Sequence, residues 1–335
     1  MGSNFVRFFY DRYPAYRIIN FDALTYAGNP DNLADIEERE NGRPFEDRRY
    51  VFLRGDISDE RAVESLFNSY RFDALVHLAA ESHVDRSIVS VANFIRTNIE
   101  GTRILMEEAR KRQIPKFIHI STDEVYGNVP EGFSDEKALL NPSNPYAASK
   151  AGADLMVQSY VRTHRLPAII VRPSNNYGPY QYPEKIIPIG ITSMLAGRKI
   201  PIHGTGRHVR SWLHVEDFCV ALDCIFHHGK LGEIYNIPGV PADNLEILRL
   251  VAKHLGKKLE THLQFVNDRP AADFRYAVDG SKLSRELLWR GKHNPKGSIS
   301  AVVEWYLKNE RWWRKIFQTK EFLDQYEKQS NGRWG

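Results

Sequence analysis

The sequence predicts an α/β protein built on a parallel sheet that is wound by helices on both faces. Three observations carry this reading. Short apolar runs, among them 74–80, 116–120 and 168–172, have the length and bulk of fully buried strands. Amphipathic helical stretches separate them, which is the rhythm of βαβ units. At least one strand then runs into hydroxylic and acidic residues, Ser121-Thr122-Asp123-Glu124, and ligands of open parallel sheets bind beyond the carboxyl ends of the strands.

Taken in order, residues 1–13 read as a helix with Phe5, Phe8 and Phe9 on its apolar side, and 16–21 as a strand ending at Asp22. Residues 50–54 form the next strand, followed by Asp56-Ile57 and a helix over 59–70. The run 73–80 is a buried strand whose small residues, Ala79 and Ala80, allow close approach of a ligand; a long helix covers 91–112. After the strand 116–120, Asn144-Pro145 supplies a cap and a helix-starting proline, and the amphipathic run continues to about residue 164. Tyr146 and Lys150 are four apart and share a helical face. An ammonium beside a phenol lowers the phenol pKa from about 10 and makes a base for a substrate hydroxyl.

Beyond the strand 168–172, residues 174–179 read as a turn-rich loop, whose Asn175 and Asn176 offer donors and acceptors to a sugar or carboxamide. A helix opens near Tyr182, strands follow at 200–204 and 207–213, the latter carrying Arg210, and 233–235 is a further strand. A helix covers 244–255. The tail is helical from 297, with Trp305, Trp312 and Trp313, and then becomes a charged, loose end.

The totals exclude several classes. The 335 residues suffice for one large α/β unit or two lobes; 42% are hydrophobic and 26% charged, and no apolar run is long enough to span a bilayer. No signal peptide opens the chain. Cys219 and Cys224 lie in an apolar helical run, which predicts core thiols rather than a disulfide or metal site, and fits a reducing cytoplasm. The dispersed net charge of +4 argues against a nucleic-acid partner and suits a small anionic substrate.

Several motifs together carry a resemblance: Leu24-Thr25-Tyr26-Ala27-Gly28-Asn29, Leu78-Ala79-Ala80-Glu81-Ser82-His83-Val84-Asp85, Thr122-Asp123-Glu124, Tyr146 with Lys150, Ser174-Asn175-Asn176-Tyr177-Gly178-Pro179, and Arg210-Ser211-Trp212-Leu213-His214-Val215-Glu216-Asp217. From Gly2 to about Tyr306 the chain resembles the extended short-chain dehydrogenase/reductase superfamily, and within it the nucleotide-diphosphate-glucose 4,6-dehydratases. The resemblance implies a Rossmann-type doubly wound parallel sheet binding NAD over 1–175, also receiving roughly 207–238, and a smaller carboxy-terminal α/β substrate lobe over 176–335.

It also implies roles. Thr122, Asp123, Glu124, Tyr146 and Lys150 are the catalytic set. Gly2, Asp22, Leu24, Thr25, Asp56, Ile57, Leu78, Ala79, Ala80, Ser82, Thr97 and Asn176 join Tyr146 and Lys150 at the cofactor, with Asp22 placed to meet the ribose hydroxyls and favour NAD over NADP. Ser82, His83, Thr122, Asn175, Glu184, Lys185, Arg210, Asn236 and Arg269 face a nucleotide-sugar substrate, Arg210 at the diphosphate. Helices 91–112 and 145–164 resemble the pair that forms a four-helix homodimer interface in relatives. The implied reaction is a lyase reaction: C4 oxidation, loss of water across C5 and C6, and hydride return to C6.

Two departures stand out. Only Gly2 remains of the glycine-rich phosphate loop, and the first strand of the sheet is absent; the intact site motifs favour a start site lying further upstream over an impaired copy. Second, Asp268-Arg269-Pro270-Ala271-Ala272-Asp273 has alanines where the family has Gly-His, which leaves UDP open beside the default dTDP. The rivals are a UDP-sugar 4-epimerase or decarboxylase relative and a non-catalytic sugar-nucleotide-binding relative.

Overall fold

The computed structural model describes residues 1–332. Its strands are β1 (Ile18–Asp22), β2 (Tyr50–Arg54), β3 (Leu75–His77), β4 (Phe117–Ile120), β5 (Ala168–Pro173), β6 (Asn175–Tyr177), β7 (Ile200–His203), β8 (Val209–His214), β9 (Ile234–Ile237), β10 (Val240–Asp243) and β11 (Leu263–Val266). β3, β4, β5 and β9 form an all-parallel sheet in the order β3-β4-β5-β9, and β1 and β2 form a parallel pair.

The doubly wound prediction holds, and the period-2 alternation of β4 and β5 shows why. Ile118, Ile120, Ile169 and Val171 face a core closed by helices Gly2–Arg12 and Val215–His228, through Phe5, Phe9, Phe218 and Leu222. Phe117, Ala168 and Ile170 face the opposite core, with helices Glu60–Ser69, Thr102–Lys111 and Pro145–His164. A third core belongs to the later part of the chain. Helices Ile186–Leu195, Asn244–Leu255 and Pro295–Lys308 pack around Trp212, Tyr306 and Trp313.

Among the described residues no strand lies between β1 and β3. Their free edges face one large cavity, lined by Ile18–Phe21 on one side and Leu75–Leu78 on the other.

The structure corrects several element readings. The helix expected over 91–112 is interrupted by a π-helical segment, Ile95–Gly101, and an unexpected helix, Val84–Val89, precedes it. Within the π segment Asn98 is drawn aside: it donates to the Glu81 carbonyl (3.0 Å) and Ser149 Oγ (2.8 Å), while the Thr102 hydroxyl takes the Asn98 carbonyl (2.6 Å). Those side-chain bonds compete with the i→i+4 ladder. The expected loop at 174–179 contains β6, paired in parallel with β8. The helix expected at Tyr182 begins at Ile186. The expected tail helix is two, Pro295–Lys308 and Glu310–Phe317, and the supposed loose end is a further helix, Lys320–Asn331.

Candidate active site

β4 ends at Ile120, and the chain turns at once into a 3₁₀ turn, Asp123–Tyr126. Thr122 caps that turn by accepting the Glu124 N–H (3.3 Å), which fixes Thr122 and Glu124 relative to the strand. The adjacent helix Pro145–His164 starts as its sequence dictates: Pro145 at the first position and Asn144 accepting the Ala147 N–H (2.9 Å). Tyr146 therefore sits in the first turn and Lys150 one turn later, both buried.

Thr122, Glu124, Tyr146 and Lys150 line one cavity of about 1560 Å³. It exceeds the roughly 300–1,000 Å³ of a single small-molecule site because it includes the gap between β1 and β3. Asp123 stands behind the wall. It is 1% exposed, its Oδ1 lies 3.4 Å from Thr122 Oγ1, and its Oδ2 has no hydrogen-bond partner among the described residues. Burial, and then the neighbouring Glu124, push its carboxyl up to about 7; Ser174, Arg210 and Thr122 pull the other way.

The electrostatics of the Tyr–Lys pair correct the sequence reading. Burial, followed by Glu124, raises the Tyr146 phenol above its ordinary range, and the Thr122 hydroxyl only partly opposes this. Lys150 does not offset it: its Nζ donates to the Ile120 carbonyl (2.7 Å), and burial pushes the ammonium down to about 8 despite Asp154. Desolvation outweighs the expected charge effect.

The other expected residues sort by strand end. Gly2, Asp22, Leu24, Thr25, Asp56 and Ile57 line the cavity beyond β1 and β2, together with Thr97. Asp22 accepts the Leu24 N–H (2.7 Å), which holds Leu24 at φ 50°. Leu78, Ala79, Ala80 and Ser82 line it beyond β3, and Asn176 beyond β5. On the substrate side stand His83, Asn175, Glu184, Lys185, Arg210 and Arg269. Glu184 accepts from the Tyr26 hydroxyl (3.1 Å), and burial raises its carboxyl to about 7. Arg269 is ion-paired with buried Asp85. Arg210 stacks on Tyr276 (4.4 Å) and donates to the carbonyls of Val209, Phe274 and Asp273.

Asn236 is the expected contact that the structure removes. It is fully buried away from the cavity, accepting from Tyr126 (2.9 Å) and donating to the carbonyls of Ser134 (3.1 Å) and Asp279 (3.3 Å). Its amide is consumed by loop packing. Sequence reasoning missed Tyr276, whose hydroxyl lies 3.3 Å from Glu124 Oε2 and 2.7 Å from Asp273 Oδ2. It also missed Gln329, which reaches from the last helix to Asp85 (2.9 Å). Both contacts join residues far apart in the chain, where no local spacing signals them. Ala271, standing where the family motif has glycine, adopts φ 52°, a conformation costing an L-residue about 1–2 kcal/mol.

A buried Tyr–Lys pair and a strand-end Thr–Asp–Glu triplet on a doubly wound parallel sheet define the extended short-chain dehydrogenase/reductase class. The sequence model of the GDP-mannose 4,6 dehydratase family matches residues 1–301, and the chain belongs to that family. It is 43% identical to a dTDP-glucose 4,6-dehydratase of Streptomyces niveus over 296 residues, covering 88% of this chain and 85% of that one. A solved dTDP-glucose 4,6-dehydratase of Streptomyces venezuelae, a double mutant with NAD bound, superposes with a TM-score of 0.88 at 40% identity, over 94% of this chain and 96% of the other. A UDP-glucose 4-epimerase of Thermotoga maritima, solved with UDP-glucose, reaches 0.82 at 26% identity, over 92% and 96%.

Proposed function

We propose that the protein is an NAD-dependent lyase that converts dTDP-glucose to the 4-keto-6-deoxy sugar nucleotide. The observation that carries this is the meeting of Glu124 and Tyr146 in one cavity, with a carboxyl held at about 7 directly behind them. The kinship with dTDP-glucose dehydratases supports the substrate, and the Streptomyces venezuelae relative supports the cofactor.

The residues present fit a dinucleotide. The uncapped amino end of helix Gly2–Arg12 borders the cavity, where N–H groups favour an anion, and nothing stands within 4 Å of where a Gly2 Cβ would be. Asp22 stands at the end of β1 for a ribose, and the buried Asn176 Oδ1 has no partner among the described residues. Bound NAD supplies a hydride acceptor for C4 and a hydride donor for C6.

The chain's own residues do the rest. Tyr146 accepts the C4 hydroxyl proton, with Thr122 donating a hydrogen bond that lowers the cost of the phenolate. Lys150 donates to the Ile120 carbonyl, so the remaining stabilisation of the phenolate would have to come from the cationic ring of bound NAD. With a ketone at C4, the C5 proton is acidic, and Glu124 removes it. Asp123, neutral below about pH 7, gives its proton to the departing C6 hydroxyl after its side chain turns past Thr122 into the cavity. Glu124 then returns its proton to C5. Arg210 and Arg269 hold the diphosphate, Arg269 exchanging Asp85 for a phosphate oxygen.

Glu124→Gln tests the assignment. With dTDP-glucose the variant should oxidise C4 but stall before elimination, so reduced cofactor absorbance accumulates on the protein. Unaltered turnover would overturn the role, and conversion of UDP-glucose to UDP-galactose by the wild type would overturn the reaction.

A homodimer through helices Pro145–His164 and Thr102–Lys111 fits the exposed Leu155 (57%) on the first and Ile95 (51%) in the preceding π segment. A monomeric mass in light scattering would remove that reading. A cytoplasmic site fits the nucleotide-sugar substrate and the two free cysteines, and recovery in a secreted fraction would contradict it. No helix among the described residues is long and apolar enough to cross a membrane.

A further inference from the structure

β8 ends in His214, which caps the helix Val215–His228; Glu216 and Asp217 occupy that helix's first turn. Across from them, the segment before helix Pro295–Lys308 brings in His293. Its ring stacks on His214 with centroids 4.3 Å apart. None of these side chains lines the large cavity, and nothing in the proposed reaction uses them.

The hydrogen bonding around His293 fixes its tautomer. Asp217 Oδ2 accepts the main-chain N–H of Lys292 (2.9 Å) and of His293 (2.8 Å), and Asp217 Oδ1 lies 2.9 Å from His293 Nδ1. A carboxylate is acceptor-only, so Nδ1 carries the hydrogen and Nε2 holds the lone pair in the neutral ring. That Nε2 lies 3.4 Å from Glu216 Oε2. An ion seated there would meet a nitrogen lone pair and a carboxylate oxygen together. His214 offers a third donor: one ligand atom from each of His214, Glu216 and His293 lies within 4.8 Å of the others.

We propose that His214, Glu216 and His293 form a binding site for a divalent cation of borderline softness, with zinc the best match. Two imidazoles, one carboxylate and a water make a tetrahedral set, and bonds of about 2.0–2.2 Å place neighbouring ligand atoms at about the separation already found between His293 and Glu216. Asp217 completes the arrangement as the carboxylate that orients a metal-bound histidine through its far nitrogen. His214 Nδ1 accepts the Glu216 N–H at 3.3 Å, a weak contact that binding through that nitrogen would replace. The positive end of the helix opposes a cation, and the two first-turn carboxylates offset it. Glu216 is exposed, so an ion can enter from solvent.

The location gives the site a consequence. Tyr177 on β6 is in register with His214 on β8, and β6 carries Asn175 and Asn176 into the cavity. A cation pinning His214 to His293 ties the strand beneath the substrate to the segment that leads into helix Pro295–Lys308.

The test uses the full chain stripped with chelator and titrated with Zn²⁺, and with Co²⁺ as the spectroscopic probe. One equivalent should bind, raise the melting temperature, and with Co²⁺ give the intense visible bands of tetrahedral coordination. Glu216→Gln and His293→Asn should each lose those bands, and Asp217→Asn should weaken affinity about 10–100-fold. Metal-free Glu216→Gln should keep wild-type turnover, which separates loss of the ion from misfolding. Equal Co²⁺ spectra in wild type and His293→Asn would overturn the proposal. So would the absence of saturable Zn²⁺ or Co²⁺ binding to the wild-type chain.

Discussion

Asp123 shows how one side chain acquires a role from its surroundings. Its carboxyl is excluded from water and adjoins a second carboxyl, so the neutral form persists up to about pH 7. A general acid must be protonated in the free enzyme for kcat/KM to be full. We therefore expect kcat/KM for dTDP-glucose to fall about tenfold per pH unit above about pH 7. Lys150, held at about 8, adds a second loss further up. Asp123→Asn should lower kcat by about 10²–10⁴ and leave only the Lys150 limb in the profile. A pH profile of that variant with the limb near 7 intact would assign the titration elsewhere. Tyr146 makes the complementary point. Burial and Glu124 hold its phenol above the ordinary range, so helix spacing alone does not make it a base.

At the scale of elements, the carboxy-terminal helices are structural. Trp313 is fully buried and donates to the Tyr306 carbonyl (3.0 Å), and Phe317 stacks on Phe322 (4.4 Å), joining Glu310–Phe317 to Lys320–Asn331. Trp313→Ala should cost about 3–5 kcal/mol, read as a fall in the urea midpoint with an unchanged slope. Gln329, on the last helix, reaches Asp85, so the same variant should also weaken substrate binding. The sequence concealed the last helix because Lys320–Asn331 is rich in charge, and a helix that buries only one narrow face resembles a solvated tail.

Where local chemistry decides, the sequence was legible. Pro145–His164 and Asn144 follow from a cap and a proline, Tyr50–Arg54 from its apolar run, and Asn244–Leu255 from Asp243 at its start and Gly256 at its end. Long-range packing was not legible. The π segment depends on Asn98 meeting Ser149, β6 on its pairing with β8, and the loss of Asn236 from the site on loops about a hundred residues earlier.

At the scale of the whole molecule, the buried titratable groups pull stability in opposite directions with pH. Asp123 and Glu184 both have folded-state values near 7, above those of an unfolded chain. Their contribution is therefore full at low pH, below the unfolded values near 4, and is lost as pH rises through 7. His119 is the reverse. Burial and then Lys150 push it down to about 4, so its contribution is full above about 6.5 and is lost as pH falls toward 4. Above about pH 6.5 His119 is neutral in both states, so a fall in stability there reads the two acids. Between pH 6 and pH 8 the two acids together should remove about 3 kcal/mol, since each costs up to about 1.36 kcal/mol per pH unit while the folded state keeps its proton and nothing further once it ionises. Urea unfolding at pH 6, 7 and 8 measures this, and stability that rises over that interval would show that the two acids are ionised in the folded state. Asp123→Asn provides the internal control. An amide cannot ionise, so the variant should lose about half of the pH dependence and be more stable than the wild type at pH 8 while being catalytically crippled. That inverse relation is expected where a site holds an acid neutral against its chemistry.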